Sequence, residues 1–184
     1  MALGMDEHNN GSRENNMKDL IVPKFLQAIV PTQIGILVPD LAEGIRKWSA
    51  ILGRNDWLVY TYGPDSVPEM TYRGKPGQYS MRLALIGSQP QVELIEPLAG
   101  PSIYHEWIDE HGYGQHHIGF WVDSIDEVIT QSFEAGIGLT QTGKGYGLNG
   151  DGGFAYLDTL DAMGVILEAI DVPSVRRASE PIPD

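Results

Sequence analysis

The sequence predicts an α+β fold in which two βαβββ modules pair curved mixed sheets around a central cavity, and three observations lead to it. The stretch QIGILVPDL at 33–41 recurs as HIGFWVDSI at 117–125, an internal duplication. Each copy alternates like a strand and then runs into a stripe of helical period opened by a capping residue. Each stripe is followed by three strand-like pieces set apart by turns.

In chain order, residues 1–25 are polar, lack the apolar core of a secretory signal and read as a disordered leader. Folded sequence is expected over 26–172, with module 1 at about 28–98, a connecting helix at 102–112 and module 2 at about 115–172. The Pro-rich residues 173–184 read as a flexible tail. In the first copy Gln33, Gly35 and Leu37 alternate with Ile34, Ile36 and Val38, so one strand face is wholly apolar. Asp40 caps the following helix with Glu43 at its third position; Leu41, Ile45, Trp48 and Leu52 form the stripe and Gly53 ends it. The strands after it are WLVYTY (57–62), SMRLALIG (80–87) and QVELIEP (91–97), joined by segments containing PDSVP, RGKPG and GSQP. SIYHEWIDEHG at 102–112 is a short helix that buries Ile103, Trp107 and Ile108. In the second copy His117, Gly119 and Trp121 face one way and Ile118, Phe120 and Val122 the other. Ser124 caps its helix with Glu127 at the third place, Ile125, Ile129 and Phe133 make the stripe, and Gly136 stops it. IGLTQT (137–142), GFAYLDT (153–159) and GVILEAI (164–170) complete the module around the glycine-rich GKGYGLNGDGG.

With 42% hydrophobic and 20% charged residues over 184 positions, the chain has the composition of a globular protein long enough for a sizeable core. A formal net charge of -13 opposes binding to a phosphate backbone, so no nucleic-acid partner is expected. No apolar run is long enough to span a bilayer, so no membrane partner is expected either. The lack of cysteine removes disulfides, thiolate metal sites and a cysteine nucleophile, and agrees with a cytoplasmic location.

Gln33 and His117 open the two copies at equivalent positions, and both side chains can ligate a metal. Glu93 in VELIEP and Glu168 in VILEAID stand at corresponding points late in each module. Strand alternation separates Gln33 from Ile34 and Ile36, Glu93 from Val92 and Leu94, and treats His117 and Glu168 alike. With the apolar faces packed on helices, all four point into the cavity. They offer an imidazole nitrogen, an amide oxygen and two carboxylates to a divalent ion, a set compatible with Zn, Ni, Co, Mn, Fe or Mg. The other reading of the four is a polar lining of a metal-free cavity. His116 points away by alternation and reads as structural. Trp121, on the face of His117, is a candidate wall for an organic ligand; Tyr79, Lys144 and Tyr146 are further candidate substrate contacts. The glycine-rich run lacks the lysine-serine ending of a phosphate loop and reads as a hairpin loop over the cavity.

Over about residues 28–172 the chain resembles the vicinal oxygen chelate superfamily, also called the glyoxalase, bleomycin-resistance and dioxygenase superfamily. Its members pair βαβββ modules and carry a metal ligand on the first and last strand of each. The stretch VELIEPLAGPSIYHEWIDEHGYGQHHIGFWVDSIDE is especially similar to methylmalonyl-CoA epimerases. The resemblance implies a metal site of Gln33, Glu93, His117 and Glu168, with the second histidine of the HH pair as ligand, and a homodimer. Epimerases have histidine in place of Gln33, and the set Gln, Glu, His, Glu resembles that of glyoxalase I. The glyoxalase residues that hold glutathione fall at Leu37 and Pro97, and GKPGQYSMRL lacks the glutamate that serves epimerases as a second base.

The function expected is a metal-dependent isomerase, epimerase or lyase that removes a proton next to a metal-chelated carbonyl or acyl group of a small molecule. Glu168 and Glu93, one per module, are the expected bases. The alternatives are a metal-free module that binds an antibiotic-like small molecule and, as a weaker one with only one well-placed histidine, an extradiol-type dioxygenase.

Overall fold

The computed structural model describes residues 22–27 and 29–184, so the leader expectation for residues 1–21 lies outside the described residues. The first module runs β1 (Gln33–Leu37), α1 (Leu41–Leu52), β2 (Leu58–Tyr62), β3 (Glu69–Tyr72), β4 (Lys75–Pro76), β5 (Ser80–Ile86) and β6 (Gln91–Ala99). After α2 (Ile103–His111) the second runs β7 (Gly114–Val122), α3 (Ile125–Glu134), β8 (Leu139–Lys144), β9 (Gly153–Leu157), α4 (Leu160–Met163) and β10 (Ile166–Asp171). These strands form one mixed sheet in the order β2-β5-β6-β1-β7-β10-β9-β8-β3-β4, curled into a half-barrel. The modules join where β1 and β7 pair antiparallel, and each pairs in parallel with the last strand of its own module, β6 or β10. The four strands expected to carry ligands are therefore adjacent at the centre.

The helix ends form through local chemistry. Asp40 Oδ1 accepts the Glu43 amide at 2.7 Å, Ser124 Oγ accepts that of Glu127 at 3.3 Å, and Ser102 Oγ accepts that of His105 at 3.5 Å. Gly53 takes the left-handed conformation that ends α1, with φ 66°. Strand alternation then sorts the core into three layers. Val38, Val59, Ala84, Ile86 and Leu94 meet Leu41 and Ile45 of α1. Phe120, Ala155, Leu157, Leu167 and Ala169 meet Ile125 and Val128 of α3. The concave face holds a tyrosine-rich layer that includes Tyr60, Tyr62, Tyr79, Tyr104, Tyr146 and Tyr156.

Three local readings are corrected. Phe133 is not part of the buried stripe of α3: it is 86% exposed, while Val128 and Ser132 are buried. At about 100° per residue, Val128, Ile129 and Ser132 fall within about 60° of Ile125, whereas Phe133 lies about 80° round. In α2 the most buried aromatic is Tyr104, with Trp107 and Ile108 only partly buried. The segment around RGKPG is a hairpin arm, β3 and β4, that turns through Arg73 (φ 50°) and Gly74 (φ 73°). Its prolines and glycines mask the strand signal. The arm leaves its own module and pairs antiparallel with β8 of the other, from Glu69 opposite Lys144 to Tyr72 opposite Gln141.

Candidate metal centre

The concave face of the four central strands carries the candidate ligands. Gln33, Glu93, His117 and Glu168 are 4%, 7%, 0% and 4% exposed, so all four are withdrawn from water. Ligand atoms of Glu93, His117 and Glu168 lie within 4.8 Å of one another. His117 Nε2 is 2.9 Å from Glu168 Oε2 and 3.4 Å from Glu93 Oε2. The amide nitrogen of Gln33 donates to Gln91 Oε1 at 2.9 Å, which leaves Gln33 Oε1 free to serve as a donor atom.

The repeat explains how such a crowded centre is built. In register, Gly35 stands opposite His117 and Gly119 opposite Gln33. A Cβ on Gly35 would lie 1.8 Å from His117 Cε1, and one on Gly119 would lie 3.0 Å from Gln33 Oε1. The glycine two places after the ligand in each copy thus makes room for the ligand of the other copy. The signal was visible in QIG and HIG, but only the pairing of β1 with β7 gives it meaning.

His116 departs from strict alternation. The register of β7 slips at this residue, with Gly35 opposite His117 and Ile36 opposite Gln115, so a bulge turns His116 to the concave side. There it is 2% exposed, and its Nδ1 lies 3.0 Å from Nδ1 of His117. Burial, then the neighbouring charge of His117, lowers the pKa of His116 to about 2, so it stays neutral and can accept the His117 Nδ1 proton. That hydrogen bond leaves His117 Nε2 facing the carboxylates, the arrangement that orients a ligating imidazole.

Charge is concentrated here. Burial pulls the pKa of His117 down, but the nearby negative charge of Glu168 and Glu93 outweighs it and raises the value to about 9. For Glu93, burial and then the charge of Glu168 raise the pKa against the opposing pull of His117. Gln33 Oε1, Glu93 Oε2, His117 Nε2 and Glu168 Oε2 are buried, and among the described residues they have no hydrogen-bond partner beyond the ion-pair contacts of His117 with the two carboxylates. A buried polar atom left wholly without a partner costs about 1–3 kcal/mol. A divalent ion would satisfy all four donors and balance both carboxylates, so these residues fit one.

Beside the centre is a cavity lined by Gln33, Glu93 and Glu168 and walled by tyrosines and aliphatic side chains. Tyr146 reaches it, its hydroxyl donating to Asp171 O at 3.0 Å. Tyr79 packs in the layer behind and donates to Thr142 O at 2.8 Å. Trp121 and Lys144 lie elsewhere. Trp121 is past Gly119, where β1 pairing ends, and lines an outer hollow with Lys24 and Phe25. Gly143 faces Phe154 on the concave side, so Lys144 turns outward to Asp126, at 2.6 Å. Sequence reasoning missed Arg176, Tyr62 and Tyr156 in the cavity wall, for no local pattern marks them.

Among the described residues no helix is long and apolar enough to cross a membrane. No curated protein sequence is significantly similar to this chain. Several solved structures share its fold. A hypothetical protein from Bacillus halodurans has a TM-score of 0.53 and 23% identity, over 82% of this chain and 99% of its own. Methylmalonyl-CoA epimerase from Mycobacterium tuberculosis has a TM-score of 0.54 and 23% identity, over 77% and 87%. A variant of the Streptomyces coelicolor methylmalonyl-CoA epimerase, in complex with 2-nitronate-propionyl-CoA, has a TM-score of 0.56 and 19% identity, over 84% and 100%. A sequence model of one family matches residues 32–156, from the first candidate ligand to the penultimate strand, and by that match the chain belongs to the glyoxalase/bleomycin resistance protein/dioxygenase superfamily.

Proposed function

We propose that the protein is a metal-dependent isomerase, epimerase or lyase that removes a proton next to a chelated carbonyl or acyl group of a small molecule. The observation that carries this reading is that buried Glu93, His117 and Glu168 bring ligand atoms within 4.8 Å of one another, beside a cavity that Gln33 also lines, from four adjacent strands. A bound divalent ion would supply Lewis-acid stabilisation of the charge that builds on a carbonyl oxygen when its neighbouring C–H ionises.

The chain's own residues do the rest. Gln33, Glu93, His117 and Glu168 would hold the ion, with His116 orienting His117. Glu93 and Glu168 come from different modules and flank His117, so one carboxylate takes the proton while the other can return it. The aromatic and aliphatic wall of the cavity would limit water around the reacting C–H. Two of the proteins that share the fold are epimerases by name, which accords with this class of chemistry.

The test is calorimetric titration of metal-free protein with Ni²⁺, Zn²⁺, Co²⁺ and Mn²⁺, followed by NMR measurement of C–H exchange of hydroxyacetone in D₂O. One ion per chain is expected, with affinity lowered about a hundredfold or more in Glu168→Ala and Glu93→Ala. Exchange should be lost in both variants even at saturating metal. If no ion binds a folded protein, the metal-free binding module takes the place of this reading. If exchange persists at the wild-type rate in either variant, that residue is not a base and the two-carboxylate reading fails.

A further inference from the structure

Residues 173–184 are laid back over the domain as a strap. Pro173 rests on the glycine-rich loop, where a Cβ on Gly147 would lie 2.6 Å and one on Gly152 2.9 Å from the proline ring. The loop's glycines therefore cradle this segment. Leu148 N donates to Val175 O at 2.9 Å, Ser174 N to Asp151 Oδ2 at 2.6 Å, and Arg177 Nε to Tyr146 O at 3.3 Å. Further on, Glu180 N donates to Val59 O at 2.7 Å along the free edge of β2, and Ile182 packs against the α1 core layer. Between these anchors stands Arg176.

Its guanidinium lies 5.8 Å from the ring centroids of both Tyr60 and Tyr146 and lines the same cavity as Gln33, Glu93 and Glu168. Among the described residues it makes no ion pair. Among the described residues, the charged side chains lining the cavity are Glu93, Glu168 and Arg176. A divalent ion cancels the two carboxylates, and Arg176 then leaves one uncompensated positive charge. Two aromatic rings hold the planar guanidinium, whose donors match a carboxylate in bidentate fashion.

We propose that Arg176 recognises a carboxylate of the substrate, so that the substrate is a small, singly charged organic acid whose carbonyl sits at the metal centre and whose carboxylate meets the strap. This rests on the metal-centre reading for the position of the carbonyl. It makes the C-terminal strap, outside both modules, the specificity element.

The probes are acetohydroxamate, a neutral two-oxygen chelator, and the monohydroxamates of malonic, succinic and glutaric acid, which add a carboxylate at increasing reach. With Ni²⁺-loaded protein, at least one acid derivative should bind about tenfold more tightly than acetohydroxamate, the worth of one charge-assisted pair. Arg176→Gln should abolish that preference while binding acetohydroxamate and Ni²⁺ as the wild type does; Arg176→Lys should keep part of it. Equal binding of all probes to loaded wild-type protein, or a preference that survives in Arg176→Gln, overturns the proposal and leaves the metal centre standing. If the protein takes up no metal, the comparison is made in Glu93→Gln/Glu168→Gln protein, whose cavity is neutralised without an ion. An Arg176-dependent preference there supports the role of Arg176 although the metal reading has failed, and its absence there overturns it.

Discussion

Two glycines decide whether the four donors can meet. Because the ring of His117 fills the space beside Gly35, Gly35→Ala forces the imidazole or strand β1 to move. We expect it to cost about 1–3 kcal/mol of stability in chemical denaturation, the range for overpacking a tight core. It should also remove metal binding in calorimetry; unchanged affinity would show that His117 is not held as described. His116 acts one step further out. Its substitution by leucine should lower metal affinity about 10–100-fold, as expected for loss of the partner that orients a ligating imidazole. His116→Asn, whose side-chain oxygen can accept the same proton, should restore part of it. Loss of stability with no change in affinity would make His116 a packing residue only.

At the scale of elements, the helices owe their ends to residues read directly from the chain. Ser124→Ala removes the acceptor for the Glu127 amide and should cost about 0.5–2 kcal/mol in a denaturant melt. Phe133 gives the opposite case. Since it is 86% exposed, Phe133→Ser should stay within about 0.5 kcal/mol of the wild type, where a buried stripe position would lose several times that. The caps and alternation were legible because they depend on neighbours within four residues. The bulge at His116 and the arm formed by β3 and β4 were not, because both are set by a partner strand distant in sequence. A local pattern cannot show that β3 pairs with β8 of the other module.

For the molecule as a whole, the buried imidazoles set how the metal-free protein responds to pH. His117 titrates near 9 when folded, above its ordinary 6.5, so its contribution is complete below about pH 6.5 and is lost as pH rises through about 9. His116 is depressed from 6.5 to about 2, so its contribution is present above pH 6.5 and is lost as pH falls from there towards 2. Thermal melts of metal-free protein should therefore be highest near pH 6.5 and decline on both sides. Ni²⁺ replaces the proton shared by His117 and the carboxylates, so the alkaline decline should shrink when metal is added. A melt that keeps rising from pH 7 to 9 without metal would contradict the charged state of His117.

The sequence by itself determined the two modules, the helix caps, the strand faces that carry Gln33, Glu93, His117 and Glu168, and the identity of those four as the residues to watch. It could do so because periodicity and duplication are local or self-referential properties of a chain. Only the tertiary structure decided that β6, β1, β7 and β10 lie side by side, that each module's glycine makes room for the other's ligand, and that ligand atoms of Glu93, His117 and Glu168 come within 4.8 Å of one another. It alone placed Arg176 beside them while directing Trp121 and Lys144 elsewhere. Convergence of this kind comes from strand order, register and the return path of the C-terminal segment, which depend on contacts between residues distant in the chain.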